Sequence, residues 1–262
     1  MTKTPQISVL MSVYNAENDL KNSVESILNQ TYTNFEFIII NDGSTDGSLD
    51  ILEKYAAKDQ RICLVNQENT GLTRALNNGV KLSKGKYIAR QDADDISYPK
   101  RFEMQVELMS CDSSIVLCGG NCDDLYEDGS KGVWGSYNSD ELQKIVFLKT
   151  VFAHSTVMMR SDVCVDFGGY DESFKTSQDM DLWMRFAKKG KLAMVEEPVI
   201  QRKIRAESIS NKRRWRQFYD ASRARWRHNH GIINKMHALY YGVRSLIIGM
   251  LPAKFINFLK KA

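Results

Sequence analysis

Three acidic side chains, Asp92, Asp94 and Asp95, lie within four residues of one another directly after a short apolar run. Because like charges this close repel one another, we expect a positive group nearby. Asp92 and Asp94 are two residues apart and could turn toward one cation; oxygen ligands of this kind suit Mg²⁺ or Mn²⁺ together with a substrate phosphate. The alternative is a polar turn in which Asp95 or Ser97 caps a helix that begins near Pro99. This segment alone leaves both interpretations open.

Polar side chains also follow two other predicted strands. Tyr14 and Asn15 end the apolar, β-branched run 7–13, and Asp42 follows the nearly continuous apolar run 35–40. In an open α/β sheet the ligand lies beyond the carboxyl ends of the parallel strands. We therefore expect Tyr14, Asp42 and the Asp92–Asp95 cluster to converge on one crevice.

The elements that would position these side chains alternate regularly along the first half of the chain. Strands at 7–13, 35–40, 62–65 and 87–89 are separated by helical patterns at 16–30, from 44 or 46 to 58, and at 71–83. This β-α-β-α-β-α-β order predicts an open parallel α/β sheet. No Gly-x-Gly-x-x-Gly follows the first strand and no Walker loop occurs in the sequence, which argues against dinucleotide and P-loop chemistry.

A second pair of acids, Asp179 and Asp181, lies at the start of a predicted helix. The positive end of the helix dipole favours an anion there, so either acid could serve a reaction or simply cap the helix. His154, at the start of a predicted strand, is consistent with a site residue and equally with a satisfied core histidine. Farther along the chain, 121–134 has the pattern of a polar hairpin turning at Asp128–Gly129, and 139–148 that of a helix.

Several segments occur in the order and spacing of one known family. They are Ile7–Asn15, Asn41–Gly47, Asp92–Asp94, Phe102 with Glu103, Phe152–Val157, Gly168–Asp171 and Gln178–Trp183. Together they span most of residues 1–210 and resemble the signatures of glycosyltransferase family 2. The resemblance implies the GT-A fold, an open, mostly parallel sheet flanked by helices. It also implies an inverting enzyme that takes a sugar from a nucleotide-sugar, here a UDP-sugar, with Mn²⁺ or Mg²⁺.

The resemblance assigns roles at the donor side of the site. It places Tyr14 against the nucleotide base and Asp42 on the base or ribose. It places Asp92 near ribose and metal, Asp94 on the metal, and His154 near the metal or diphosphate. The alternatives are that Tyr14 packs on the sheet and that Asp42 only shapes its turn. A metal would be needed because the leaving nucleoside diphosphate develops negative charge.

At the acceptor side, the resemblance makes Asp179 the general base. Inversion needs one base on the acceptor hydroxyl, so a single carboxylate suffices. Gln178 stands where the family has Glu, and the loss of a like charge would lower the pKa of the base. Gln178, Trp183 and Trp134 are the expected acceptor contacts, with core packing as the alternative for Trp134.

Two basic residues depart from the family pattern. Leu76 occupies the familiar arginine position, so a phosphate contact would have to come from Arg74, and a solvated surface arginine is the alternative. Arg205 stands where the family often has a histidine in a loop that closes over the diphosphate. Arg74 and Arg205 are thus the expected basic contacts with the phosphates of the donor.

Charge divides the chain into an acidic body and a basic end. The net charge is +4, but residues 199–262 contain 15 Lys and Arg against two acids, while the rest of the chain is acidic overall. We therefore expect a catalytic domain over 1–210 and a basic amphipathic helical tail over 211–262. In this tail, Trp215, Tyr219, Ser222 and Trp226 share a helical face that should pack on the body. The stripe 239–259 favours contact with anionic lipid over packing or a homodimer seam.

Several observations bear on where the protein works. Arg244 and Pro252 interrupt the apolar stripe, so no stretch approaches the ~20 apolar residues of a membrane span. Five cysteines in no zinc-like spacing predict reduced thiols, and no signal peptide is evident, so we expect a cytoplasmic protein held peripherally at the inner face of the cell membrane. The expected acceptor is a glycan, lipid-linked, in bacterial polysaccharide (O-antigen, capsule or exopolysaccharide) synthesis. A nucleic-acid-binding protein with an Arg/Trp-rich tail and a metal-dependent nucleotidyltransferase are the competing hypotheses.

Overall fold

The computed structural model describes residues 4–135, 137–204 and 214–229, together with Met236, Leu239, Tyr240 and Val243. Its strands are β1 (Ile7–Val13), β2 (Phe35–Asp42), β3 (Ile62–Gln67), β4 (Tyr87–Asp92), β5 (Ile96–Ser97), β6 (Ile115–Tyr126), β7 (Lys131–Trp134), β8 (Met158–Arg160) and β9 (Lys191–Ile204). Its helices are α1 (Glu17–Leu28), α2 (Ser48–Ala56), α3 (Leu72–Leu82), α4 (Arg101–Cys111), α5 (Ser139–Ile145), α6 (Ser161–Asp166), α7 (Gln178–Lys189) and α8 (Arg214–His228), with a 3₁₀ helix at His154–Thr156.

All the described strands join one sheet, in the order β3-β2-β1-β4-β8-β6-β9-β5, with β7 paired to β6. The first four strands of this order are parallel, as the β-α alternation predicts. The other half is mixed: β8 is antiparallel to both of its neighbours, and β6 and β9 are parallel. The hairpin predicted over 121–134 is present as β6–β7, and its turn contains Gly129 with a φ of 79°.

Helices cover both faces of the sheet. Along β1, alternate residues face opposite layers, as expected for a strand. Val9 and Met11 pack with Leu20 and Val24 of α1. Leu10 packs on the other face with Leu76 of α3. Since both faces of β1 are buried, its apolar run is continuous and not alternating.

Helix α8 packs against α7 and the loop that precedes it, so residues 214–229 lie on the body and not apart from it. The contact is made by Ala221 and Ala224 with Phe174, Met180 and Met184. The predicted packing face is wrong: Trp215, Tyr219 and Trp226 are 52%, 60% and 53% exposed. Small alanines let the two helices approach closely, and this turns the large aromatic side chains outward.

Most of the rest of the predicted tail, including most of the stripe 239–259, falls outside the described residues, and so does Arg205 in the loop before it. Beyond α8, Asn229 is buried, whereas Met236, Leu239, Tyr240 and Val243 are exposed. No helix among the described residues is long and apolar enough to cross a membrane. All five cysteines are free, as predicted; Cys118, Cys122 and Cys164 are buried, and Cys63 and Cys111 are exposed.

Candidate active site

The carboxyl ends of β1, β2 and β4 lie side by side, as the sequence predicts. Val13 pairs with Asn41, and Ser12 pairs with Asp92. The loops after β1 and β2 also bind each other, because the Asn15 amide donates to Ser44 Oγ at 3.1 Å and the Thr45 amide donates to Asn15 Oδ1 at 2.8 Å. Tyr14 projects from this edge with 52% of its surface exposed and is available to stack on a ligand.

Asp42 has a structural task that the sequence does not reveal. Its side chain is 2% exposed, and its carboxylate accepts hydrogen bonds from Gln67 Nε2 (2.8 Å), the Thr70 amide (2.9 Å) and the Gly71 amide (2.9 Å). Gly71 has a φ of 90°, which favours glycine at the start of α3. Asp42 therefore shapes the loop before α3. Its expected contact with the nucleotide would have to be made by a carboxylate that already accepts hydrogen bonds from this loop.

Asp92 lies at the centre of the site and is held by two side chains. Arg90 Nη2 lies 2.5 Å from Asp92 Oδ1, and Ser155 Oγ donates to Oδ2 at 2.8 Å. Burial alone would raise the pKa of Asp92, but the charge of Arg90 and the Ser155 hydroxyl outweigh it and lower the pKa. The carboxylate is ionised and partly exposed, with 34% of its side-chain surface open.

Arg90 supplies the positive group expected near the three acids. It is fully buried on β4, after the apolar residues 87–89, and its guanidinium also donates to the Leu10 carbonyl at 3.1 Å. The sequence pattern alone did not single out Arg90 as this group. A signal was present, since residues two apart on a strand face the same side and Arg90 precedes Asp92 by two.

The acidic turn is not a helix cap. Ser97 Oγ donates to Gln91 Oε1 at 2.8 Å, and α4 begins after Lys100 without a side-chain cap. Arg101, fully buried, holds the turn from below through Gln91 Oε1 (3.0 Å) and Ser97 Oγ (2.8 Å). The capping alternative for this segment is therefore wrong.

The two other acids of the cluster differ in environment. Asp94 is exposed, whereas Asp95 is 6% exposed. Burial raises the pKa of Asp95 well above its usual range, and the charges of Asp92 and Asp94 add to the rise. The pKa of Asp92 is lowered and that of Asp95 is raised, so of these two acids Asp92 carries the negative charge at this turn.

His154 lies behind Asp92 and is neutral. Burial lowers its pKa to about 3, and the charge of Arg90 adds to this effect. Its Nε2 lies 2.8 Å from the Tyr170 hydroxyl, and its ring meets Trp183 edge-on. His154 therefore has the protonation state of a metal ligand, but one ring nitrogen is already hydrogen-bonded.

Asp179, at the start of α7, has the properties of a general base. Burial raises its pKa and the negative charge of Asp92 raises it further, while the amides of Met180 and Asp179 itself oppose the rise. Its carboxylate has no side-chain hydrogen-bond partner among the described residues. Asp181 is the opposite case, fully buried and paired with Arg185, Arg227 and His228.

The expected acceptor residues are placed differently from one another. Trp134, at the end of β7, is half-buried, with the Arg202 guanidinium 5.1 Å from its ring centroid. Gln178 is 7% exposed. The expected acceptor contact of Trp183 is wrong for this structure, because its side chain is fully buried and packs on Phe152 at 6.4 Å. The spacing of α7 turns Trp183 into the core.

Arg74 and Arg202 are the basic side chains described near the site edges. Arg74 of α3 is paired with Glu172 at 3.0 Å and is largely exposed, so a phosphate contact would require exchange of that partner. Arg202 of β9 binds Asp124 at 2.8 Å, and its positive charge acts to lower the pKa of both Asp92 and Asp95.

The donor set can be tested against a divalent cation. No group of three His, Cys, Asp or Glu side chains in the described ranges forms a metal site, so Asp92, Asp94 and His154 are not assembled as the expected triad. Mg²⁺ and Mn²⁺, however, are commonly held by one or two carboxylates plus substrate phosphates. An ionised Asp92 beside an exposed Asp94 fits that chemistry.

Comparison with known proteins decides the family. The family model described as glycosyl transferase family 2 matches residues 8–166. A Bacillus subtilis protein with the provisional name glycosyltransferase EpsE is 37% identical over 218 residues, covering 82% of this chain and 78% of the relative. The chain belongs to glycosyltransferase family 2. An uncharacterized glycosyltransferase of Methanocaldococcus jannaschii is 35% identical over 207 residues, 76% of this chain and 71% of the relative.

Solved structures show the same fold for this glycosyltransferase. S. aureus TarS 1-349 in complex with UDP-GlcNAc has a TM-score of 0.67 at 16% identity, covering 92% of this chain and 71% of that one. The mannosyltransferase PcManGT of Pyrobaculum calidifontis, in complex with GDP-Man and Mn²⁺, has a TM-score of 0.69 at 14% identity, covering 99% and 80%. The predicted GT-A fold and enzyme class are confirmed. The nucleic-acid-binding and nucleotidyltransferase hypotheses gain no support.

Proposed function

We propose that this family 2 glycosyltransferase transfers a sugar from a UDP-sugar to a hydroxyl of a glycan acceptor, with inversion and with Asp179 as general base. The observation that carries the proposal is the contrast between the two acids of α7. Asp179 is half-buried, with a raised pKa and no side-chain hydrogen-bond partner among the described residues, while Asp181 is held by Arg185 and His228. Only the first is left to accept a proton.

The residues divide into a donor side and an acceptor side. Tyr14 would stack on the base, and Asp92 and Asp94 would hold Mn²⁺ or Mg²⁺. When bound, that cation would offset the negative charge of the leaving diphosphate. Asp179 takes the proton from the acceptor hydroxyl as the new bond to the sugar carbon forms and the bond to the diphosphate breaks. Trp134 offers a half-buried aromatic face on which an acceptor sugar could rest.

The experiment that tests the proposal is a panel of nucleotide-sugars. Each is added with Mn²⁺ to the purified protein, and binding is scored by thermal shift and slow transfer to water by release of nucleoside diphosphate. A UDP-sugar should stabilise the protein and be hydrolysed. Stabilisation only by GDP- or dTDP-sugars would overturn the choice of donor, and release of pyrophosphate would overturn the reaction.

We also propose that the acceptor is lipid-linked, within bacterial polysaccharide synthesis, and that the enzyme contacts the inner face of an anionic membrane. The observations that support this proposal come from the predicted tail. Trp215, Tyr219 and Trp226 form an exposed aromatic face on α8, and residues 199–262 carry 15 basic side chains against two acids. Aromatic side chains beside basic ones suit the interface of an anionic bilayer. A homodimer seam on the same tail is the alternative outcome.

A further inference from the structure

The segment that carries Asp179 is attached to α8 on both sides of the base. Before it, Asp220 Oδ2 of α8 accepts hydrogen bonds from the Thr176 amide at 3.1 Å and the Thr176 hydroxyl at 3.0 Å. After it, Asp181 Oδ1 lies 2.8 Å from His228 Nε2 of the same helix. Residues 176–181, which include the start of α7, are therefore held by α8, which is not part of the sheet that forms the rest of the site.

Asp220 is an unusual residue to find in a helix–helix contact. Its side chain is fully buried, and one oxygen, Oδ1, has no hydrogen-bond partner within the described ranges. The other oxygen serves Thr176 and also Arg216 at 3.0 Å. Burying a carboxylate with an oxygen unsatisfied costs folding free energy. Its contacts with the body are made to Thr176, three residues before the base.

The turn at Ser177, directly after Thr176, has a backbone conformation that requires stabilising contacts. Ser177, the residue just before α7, has a φ of 55°, a left-handed conformation that non-glycine residues adopt at a cost. Such conformations persist only where neighbours enforce them. The neighbours here are on α8: Asp220 fixes Thr176, and Ser177 Oγ donates to the Gln217 carbonyl at 3.2 Å.

We propose that Asp220 is a positioning residue for the general base. By fixing Thr176 it holds the left-handed turn at Ser177, and this turn sets the direction in which Asp179 leaves the helix start. The inference rests on the proposed function, in which Asp179 is the base. It makes α8 part of the catalytic unit, although the sequence places it in the tail.

The test compares Asp220→Ala with Arg225→Met. Arg225 lies on the same helix and is also buried, but its guanidinium donates to the Leu148 carbonyl at 2.7 Å, away from the turn. Both variants should lower the melting temperature. Only Asp220→Ala should slow single-turnover hydrolysis of the active nucleotide-sugar, by about 10- to 100-fold, since misplacement of a reacting group has effects of this order. The affinity for UDP with Mn²⁺ should change little in either.

Two milder variants guard against loss of folding. Asp220→Asn keeps an acceptor for the Thr176 amide and should recover part of the rate. Thr176→Val removes only the hydroxyl and should slow the reaction without unfolding the protein. The contact would be merely structural if Asp220→Ala and Arg225→Met had equal rates. It would also be merely structural if Thr176→Val were fully active and the amide hydrogen exchange of residues 175–181 were unchanged.

A double variant separates failure of this inference from failure of the proposed function. If Asp220 acts through the base, Asp179→Asn combined with Asp220→Ala should be no slower than Asp179→Asn alone. Amide hydrogen exchange, which needs no substrate, should show lost protection at 175–181 in Asp220→Ala and not in Arg225→Met. Lost protection there with a fully active Asp179→Asn would overturn the choice of base, whereas unchanged protection would overturn the positioning role.

Discussion

His228 Nε2 lies 2.8 Å from Asp181 Oδ1, and this contact separates the two acids that begin α7. Lys188 Nζ lies 3.2 Å from the other ring nitrogen of His228, which leaves Nε2 to donate to Asp181. Burial alone would raise the pKa of Asp181, but the hydrogen bond from His228 and the charge of Arg185 outweigh it and lower the pKa. Two residues earlier, burial raises the pKa of Asp179. Asp181 thus holds α8, whereas Asp179 has no side-chain hydrogen-bond partner in the part of the chain that the structure describes.

Replacing Asp179 by Asn should abolish most of the activity. A general base contributes about 100- to 10,000-fold, so single-turnover hydrolysis of the nucleotide-sugar should fall by that order while the affinity for UDP stays the same. The wild-type rate should also fall as the pH drops through the raised pKa of Asp179, because protonation removes the base. The measurement is the pH dependence of the single-turnover rate for both proteins.

Asp140→Asn is the matched control for this variant. Asp140 also lies in the first turn of a helix, α5, but it is exposed. It should retain the wild-type rate and pH profile. Asp181→Asn is not a suitable control, because it would remove the buried carboxylate that pairs with Arg185, Arg227 and His228 and should lower the melting temperature. A slow Asp140→Asn or a fully active Asp179→Asn would contradict the assignment.

Removing the divalent cation should stop the reaction. EDTA should abolish turnover and Mn²⁺ or Mg²⁺ should restore it, because the leaving diphosphate needs a counter-charge. Asp94→Ala should lose the part of UDP affinity that depends on Mn²⁺ while keeping the wild-type melting temperature, since Asp94 is exposed. Isothermal titration with UDP, with and without Mn²⁺, measures this. Asp50→Ala, an exposed acid on α2, is the control; full activity in EDTA would refute metal dependence.

Acid should weaken the attachment of α8. Burial opposes the shift, but the hydrogen bond from Arg227 lowers the pKa of Asp171 to about 2, and the pKa of Asp181 is lowered as well. A lowered folded-state pKa gives stability that is present above the unfolded value of about 3.9 and is lost as the pH falls through the folded value. Urea unfolding at pH 5 and near pH 2.5 should show a smaller loss in Asp171→Asn than in wild type. Equal losses would contradict this.

The aromatic face of α8 should bind anionic membranes. Changing Trp215, Tyr219 and Trp226 together to Ser should reduce sedimentation with phosphatidylglycerol vesicles and leave hydrolysis intact, because these side chains are exposed and outside the helix contact. Removing residues 232–262 should reduce it further. Val165→Ser, at another exposed apolar side chain, is the control. Unchanged vesicle binding by the triple aromatic variant and by the truncated protein would contradict a membrane role. Dissociation of a dimer in these two variants would instead support a homodimer seam on the tail.

The sequence alone was sufficient for the fold class, the family and the edge of the sheet where the site lies. Parallel strands that alternate with helices bring their carboxyl ends together, so Tyr14, Asp42 and Asp92 could be placed on one edge from their positions after strands. The order of the motifs gave the family, which the comparisons confirm. Even the need for a positive group beside the acids followed from Coulomb repulsion.

What each side chain does there was decided by contacts between distant parts of the chain. Asp42 is occupied by Thr70 and Gly71, and Trp183 is turned into the core. Asp179 and Asp181 look alike in sequence, but one meets His228 from a helix 47 residues away and the other does not. Hydrophobicity suggested that the aromatic face of α8 would be buried, whereas its alanines make the contact. Burial and pairing depend on neighbours that no local pattern records, so only the tertiary structure distinguishes Asp179, the proposed base, from Asp181, which holds α8.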